Sequence, residues 1–128
     1  MAREFVKTPL EVPLGTTWEE AFRFLDADGV ALDVSAYTPR MHVRDPRDRE
    51  TLLLELTSSN GRILMTDAAT GIVRIKVAAA DVESMSPNNQ RKEVKYDLEL
   101  RNTSLSPTYI IPTVDGSIVL TPRITYPV

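Results

Sequence analysis

In the segment KYDLELR, Lys95 to Arg101, apolar side chains alternate with charged ones. Tyr96, Leu98 and Leu100 fall on one side; Lys95, Asp97, Glu99 and Arg101 fall on the other. Successive side chains of a strand point to opposite faces, so a period of two predicts a strand with one dry face and one wet face. The same period recurs along the chain. Met41 and Val43 alternate with Arg40, His42 and Arg44. Leu52, Leu54 and Leu56 share one side of TLLLELT, and Val73, Ile75 and Val77 oppose Arg74 and Lys76. Turn residues interrupt these runs. Asn60-Gly61 and Asp115-Gly116 both carry a tight-hairpin signal, because Asn, Asp and Gly tolerate positive φ. One segment departs from the period. AAADVESMSP sets Val82 and Met85 three residues apart before Pro87, which predicts a short helix near residues 79–85.

About eight or nine short strands with frequent turns are the signature of a sandwich or barrel. The expected fold is all-β: an immunoglobulin-like antiparallel β-sandwich with that one short helix. Tyr96, Leu98 and Leu100 then face an opposing sheet ~10 Å away. Trp18, the single tryptophan, is expected in the core together with Phe22, Phe24 and Tyr96. Without cysteine, the disulfide of antibody domains is impossible.

The two ends follow a different pattern. Pro9 and Pro13 break the first apolar stretch, and Pro122 and Pro127 the last. Proline cannot donate to a central ladder, so both ends suit sheet edges or extended arms, packed on their own sandwich or on a neighbouring chain. The expected division is an extended arm over residues 1–15 and one sandwich domain over 16–128. Residues expected to contact other subunits are Phe5, Leu10, Val12 and Leu14 in the arm. Tyr126 and Val128 at the far end join them, with the run Tyr109, Ile110 and Ile111, which is too apolar for a one-faced strand. Removing residues 1–14 is expected to leave a folded monomer that no longer assembles.

Composition narrows the function classes. The 128 residues carry 15 basic and 18 acidic side chains, a net charge of −3. Charges are interspersed. Even the densest run, RDPRDRE from Arg44 to Glu50, balances three arginines against three acids and suits a solvated turn. A phosphate-tracking stripe is absent from the pattern, so no nucleic-acid partner is expected. No apolar run approaches membrane-spanning length, and the first residues have charges where a signal peptide needs an apolar segment.

Candidate chemistry is sparse. His42 is the only histidine and belongs to the outward set of its strand. No nucleophile-elbow or phosphate-loop motif occurs. Thiolate or multi-histidine zinc ligation lacks its ligands. Asp26 to Gly29, DADG, resembles part of a calcium loop, but Phe24 and Ser35 stand where acids are required, so an Asx-type turn is expected. Glu19 and Glu20 point to opposite faces, and Asp97 and Glu99 share the wet face; neither pair stands out as catalytic. No catalytic, cofactor-binding or metal-ligating residue is expected, and no cofactor.

The order of these elements is similar to that of small immunoglobulin-like domains of tailed-bacteriophage virion proteins, such as the N-terminal domain of phage baseplate upper proteins. The likeness runs from Thr16 to Thr125. It is carried by the aromatic first strand with Trp18, Phe22 and Phe24, the DADG turn and DVSAYT. RMHVRD, LLLELT, NGRILMTDAATGIVRIKV, the Ala-Asp helical turn, YDLEL and DGSIVLTPRIT follow in order. The resemblance implies a non-enzymatic structural protein of a phage particle, in the tail, baseplate or an adaptor. Its partners would be copies of itself in a homo-oligomer and other virion proteins, and its location the virion after synthesis in the host cytoplasm. The alternatives are a capsid decoration or neck protein, or a carbohydrate-binding β-sandwich module. A small β-barrel enzyme or ligand carrier finds support only in the fold class.

Overall fold

A computed structural model describes residues 10–124. Among these described residues eight strands form two sheets. β1 is Leu10–Pro13, β2 Trp18–Arg23, β3 Thr38–Asp45, β4 Asp48–Thr57, β5 Ile63–Leu64, β6 Ile72–Val77, β7 Lys92–Asn102 and β8 Tyr109–Thr121. One short helix, α1, spans Ala79–Ser84 between β6 and β7, with Val82 and Met85 packed into the core. No described helix is long and apolar enough to cross a membrane. The larger sheet has the order β1-β8-β7-β3-β4 and the smaller β2-β6-β5. The orders β8-β7-β3-β4 and β2-β6-β5 follow those of strands G-F-C-C′ and B-E-D in an immunoglobulin-type sandwich.

The expected alternation holds where the core is densest. Val73, Ile75 and Val77 of β6, Met41 and Val43 of β3, and Tyr96, Leu98 and Leu100 of β7 are all buried. Trp18, Phe22 and Phe24 join them, and the rings of Phe22 and Tyr96 tilt against each other with centroids 6.0 Å apart. Each such side chain contributes about 1.5–3 kcal/mol of burial. The DADG segment is the expected Asx-type turn: Asp26 Oδ1 accepts from the amides of Asp28 and Val30, both at 2.9 Å. The turn in RDPRDRE is also as expected. Pro46 and Arg47 connect β3 to β4, and Asp45 Oδ1 accepts from the Arg47 amide.

Five details differ from the sequence reading. The sandwich is not wholly antiparallel, because β1 pairs parallel to β8. Residues 10–14 are therefore part of the sandwich, and only the residues before Leu10 remain for an arm. The Leu14 amide donates to the Thr121 carbonyl at 2.9 Å, so the amides of alternate residues of β1 face β8. Pro13 falls at an outward position, where its missing N–H costs the ladder nothing. Asn60-Gly61 is not a hairpin, since β4 and β5 lie in different sheets; Gly61, at φ 78°, turns the chain from one sheet to the other. Asp115-Gly116 is no turn either, because β8 runs through it unbroken. Gly116 pairs with Tyr96, and a Cβ there would lie 2.9 Å from the phenol oxygen and 3.1 Å from the ring. The glycine makes room for a buried aromatic. Finally, Leu52 is exposed while Leu54 and Leu56 are buried. The register shifts where Val43 pairs with Leu54 but Arg44 with Leu52, and one extra residue in a strand reverses which face its side chains take.

Candidate functional site

The outer face of the larger sheet gathers a set of titratable side chains, among them Arg40, His42, Arg44, Glu55, Lys95 and Asp97. His42 sits at its centre on β3, between Asp97 of β7 and Glu55 of β4 in the pairing. It faces outward as expected but is more enclosed than a solvated residue, with 15% of its side chain accessible. Nε2 lies 2.9 Å from Glu55 Oε2 and 3.2 Å from Arg40 Nε, and Nδ1 lies 3.2 Å from Arg44 Nη2. An arginine can only donate. The guanidinium groups of Arg40 and Arg44 therefore each aim a hydrogen at a different ring nitrogen, Nε2 and Nδ1, and Nε2 also meets the Glu55 carboxylate, so which nitrogen carries the ring hydrogen depends on the tautomer. Both ring nitrogens thus have partners on this face of the sheet.

The His42 hydrogen bond holds the Glu55 carboxyl below the usual glutamate range, with the charges of His42 and Arg40 adding to it. A carboxyl whose pKa is depressed by folding stabilises the native state above its unfolded pKa and loses that contribution as pH falls through the folded value. Glu55→Gln should therefore lower stability slightly in the neutral region, converge on the parent at acid pH, and so flatten the acid limb of the stability curve below the ordinary glutamate range. Thermal unfolding from pH 7 downward checks this, and an acid limb identical to that of the parent would refute it.

Beside His42 is an open groove of about 600 Å³, lined by Arg44, Lys95, Asp97, Asp115 and Ser117 among others. Lys95 Nζ donates to Ser117 Oγ at 2.6 Å. Asp97 and Asp115 stand directly opposite each other on β7 and β8, an arrangement that disfavours the sheet slightly. Among the described residues no group of three or more His, Cys, Asp or Glu is placed to hold a metal ion.

The rims differ in how they meet other strands. On β4, the Glu55 carbonyl accepts from Asn60 Nδ2 and an Arg62 guanidinium nitrogen, and the Thr57 amide donates to Asn60 Oδ1. The turn after β4 thus caps the C-terminal end of that edge with side chains, a common defence against unwanted pairing. β5 has only two residues. Pro13 marks the outer side of β1. At the tip of the β7–β8 hairpin, Leu105, Tyr109 and Ile110 are 48, 44 and 43% exposed.

The residues expected to meet other subunits separate accordingly. Tyr109 and Ile110 lie on the surface beside each other. Ile111 is buried, because a register shift on β8 opposite Leu98–Leu100 brings it back to the inner face. Leu10, Val12 and Leu14 are also buried, since β1 turns their side chains into the core; a neighbouring subunit cannot reach them. Phe5, Tyr126 and Val128 lie outside the described residues. Leu105 was missed, and its signal was available: an apolar residue within the polar segment NTSLSPT.

No known family model matches the chain, and no curated protein matches it.

Proposed function

We propose that this chain is a non-enzymatic structural subunit of a phage particle, in the tail, baseplate or an adaptor, that joins its neighbours through the rims of its sandwich. The observation that carries the assembly part is the apolar tip formed by Leu105, Tyr109 and Ile110. A single exposed apolar residue is ordinary, whereas adjacent ones on one rim mark a contact surface. The phage setting rests on the order of sequence elements. The capped β4 edge, the very short β5 and the outward Pro13 agree with a subunit that directs its contacts to chosen rims. The aromatic side chains a carbohydrate platform would need are mostly spent on the core, with Trp18, Phe22, Phe24 and Tyr96 all buried.

The test is self-association of the purified chain over a concentration series, followed by sedimentation velocity. The parent chain is expected to associate. Replacing Tyr109 and Ile110 with serine should weaken association about tenfold while leaving the melting curve cooperative, since neither side chain is in the core. A parent that stays monomeric at every concentration would overturn the reading.

A further inference from the structure

The edge of β2 away from β6 carries a regular set of backbone groups. Among the described residues β2 has a single neighbouring strand, β6. Lys76 pairs with Glu19 but donates its amide the other way, to the Arg62 carbonyl at 2.9 Å. The Glu19–Lys76 pair is therefore non-hydrogen-bonded, and the N–H and C=O of Glu19 point away from β6. By the period of two, those of Ala21 and Arg23 do the same. The side chains of Glu19, Ala21 and Arg23 are exposed, while Trp18 and Phe22 face the core.

We propose that two copies of this chain join β2 to β2 in an antiparallel, two-fold arrangement centred on Ala21. The inference rests on the assembly reading above and names one of its contacts. Three properties of the edge carry it. Outward backbone groups at positions 19, 21 and 23 meet outward groups at 23, 21 and 19 of the other copy, so every added pair exchanges hydrogen bonds. The symmetry sets Glu19 opposite Arg23 of the second copy, twice, and opposite charges across a strand pair favour it. Ala21, the smallest of the exposed residues, falls on the axis, where its own copy faces it. Arg23 already has a partner in its own chain, and the five donors of a guanidinium allow a second acceptor. The product is one continuous six-stranded sheet with a closed, isologous contact. The apolar hairpin tip supplies a second, separate contact, which a subunit of a larger assembly needs.

Charge exchange tests this on the full chain. Glu19→Arg alone opposes two arginines across the axis, and Arg23→Glu alone opposes two glutamates. Each variant should self-associate about tenfold more weakly than the parent. An equal mixture of the two restores both opposite-charge pairs and should form a mixed dimer at the parent's concentration. Ala21→Pro is a second route: it removes the N–H on the axis but no β2–β6 hydrogen bond, so it should melt like the parent and fail to pair. Hydrogen exchange at Glu19 and Ala21 should show protection that grows with protein concentration. If both charge variants associate like the parent, or their mixture gains nothing, the contact is refuted while the assembly reading stands. A parent that is monomeric throughout removes both. Protection that is independent of concentration and is lost on deleting residues 1–9 would mean that the chain's own N-terminal segment holds this edge, and it would overturn the proposal.

Discussion

Gly71→Ala is expected to destabilise the fold by about 4 kcal/mol and lower the melting temperature by roughly 15 °C. Two effects combine. Gly71 ends the turn Ala68–Thr70 with φ at 80°, a left-handed conformation that costs a side-chain-bearing residue roughly 1–2 kcal/mol. The second effect is larger. A Cβ at this position would lie 2.5 Å from the Phe24 carbonyl oxygen and 2.9 Å from that of Leu32. Both are backbone atoms held in place: Phe24 accepts the Leu32 amide, and the Phe24 amide donates to Gly71 itself at 2.8 Å. Relief would have to break the junction at which β2, the segment after the DADG turn and the start of β6 meet. Gly29→Ala provides the control. Its φ is also 80°, yet nothing lies within 4 Å of the added Cβ, so it should cost only the conformational part. Chemical denaturation of both variants measures the difference. Equal losses would show that the close approach at Gly71 carries no energy.

Deleting residues 1–14 is expected to abolish cooperative unfolding, whereas deleting residues 1–9 leaves it in place. The shorter deletion stops before β1. The longer one removes Leu10, Val12 and Leu14, each buried and each worth about 1.5–3 kcal/mol. It also removes a ladder that covers β8 from Ile118 to Thr121 and exposes the buried side chains behind it. The sum is comparable with the whole stability of a typical domain, about 5–15 kcal/mol. Circular dichroism melts of the two truncations decide the matter. A cooperative transition in the longer truncation would mean that β1 is dispensable and that residues 10–14 are an arm after all.

These two cases also show what could be seen in the sequence. β3, β6 and β7 were legible because each has one face in the core and one in water, and that asymmetry is what an alternating pattern records. β1 was obscured by its prolines. They count as breakers until the direction of each N–H is known, and that direction depends on a strand more than a hundred residues away. At Gly116 the same glycine that fits a turn fits a space beneath a tyrosine, and only the pairing with Tyr96 separates the two. The register shift in β4 inverted the side chosen for Leu52 because one added residue is invisible to a period of two. The surface set was legible in part for the same reason: apolarity marked Leu10 and Ile110 alike, and burial divides them.

The parallel pairing of the first described strand with the last has a mechanical consequence. The chain enters β1 at one end of the pair and leaves β8 at the opposite end, so tension drawn through the domain pulls the two strands lengthwise past each other. Their hydrogen bonds then share the force together instead of parting one by one. Such a geometry resists tearing better than a hairpin peeled from its open end, and it would serve a subunit that transmits load between its neighbours.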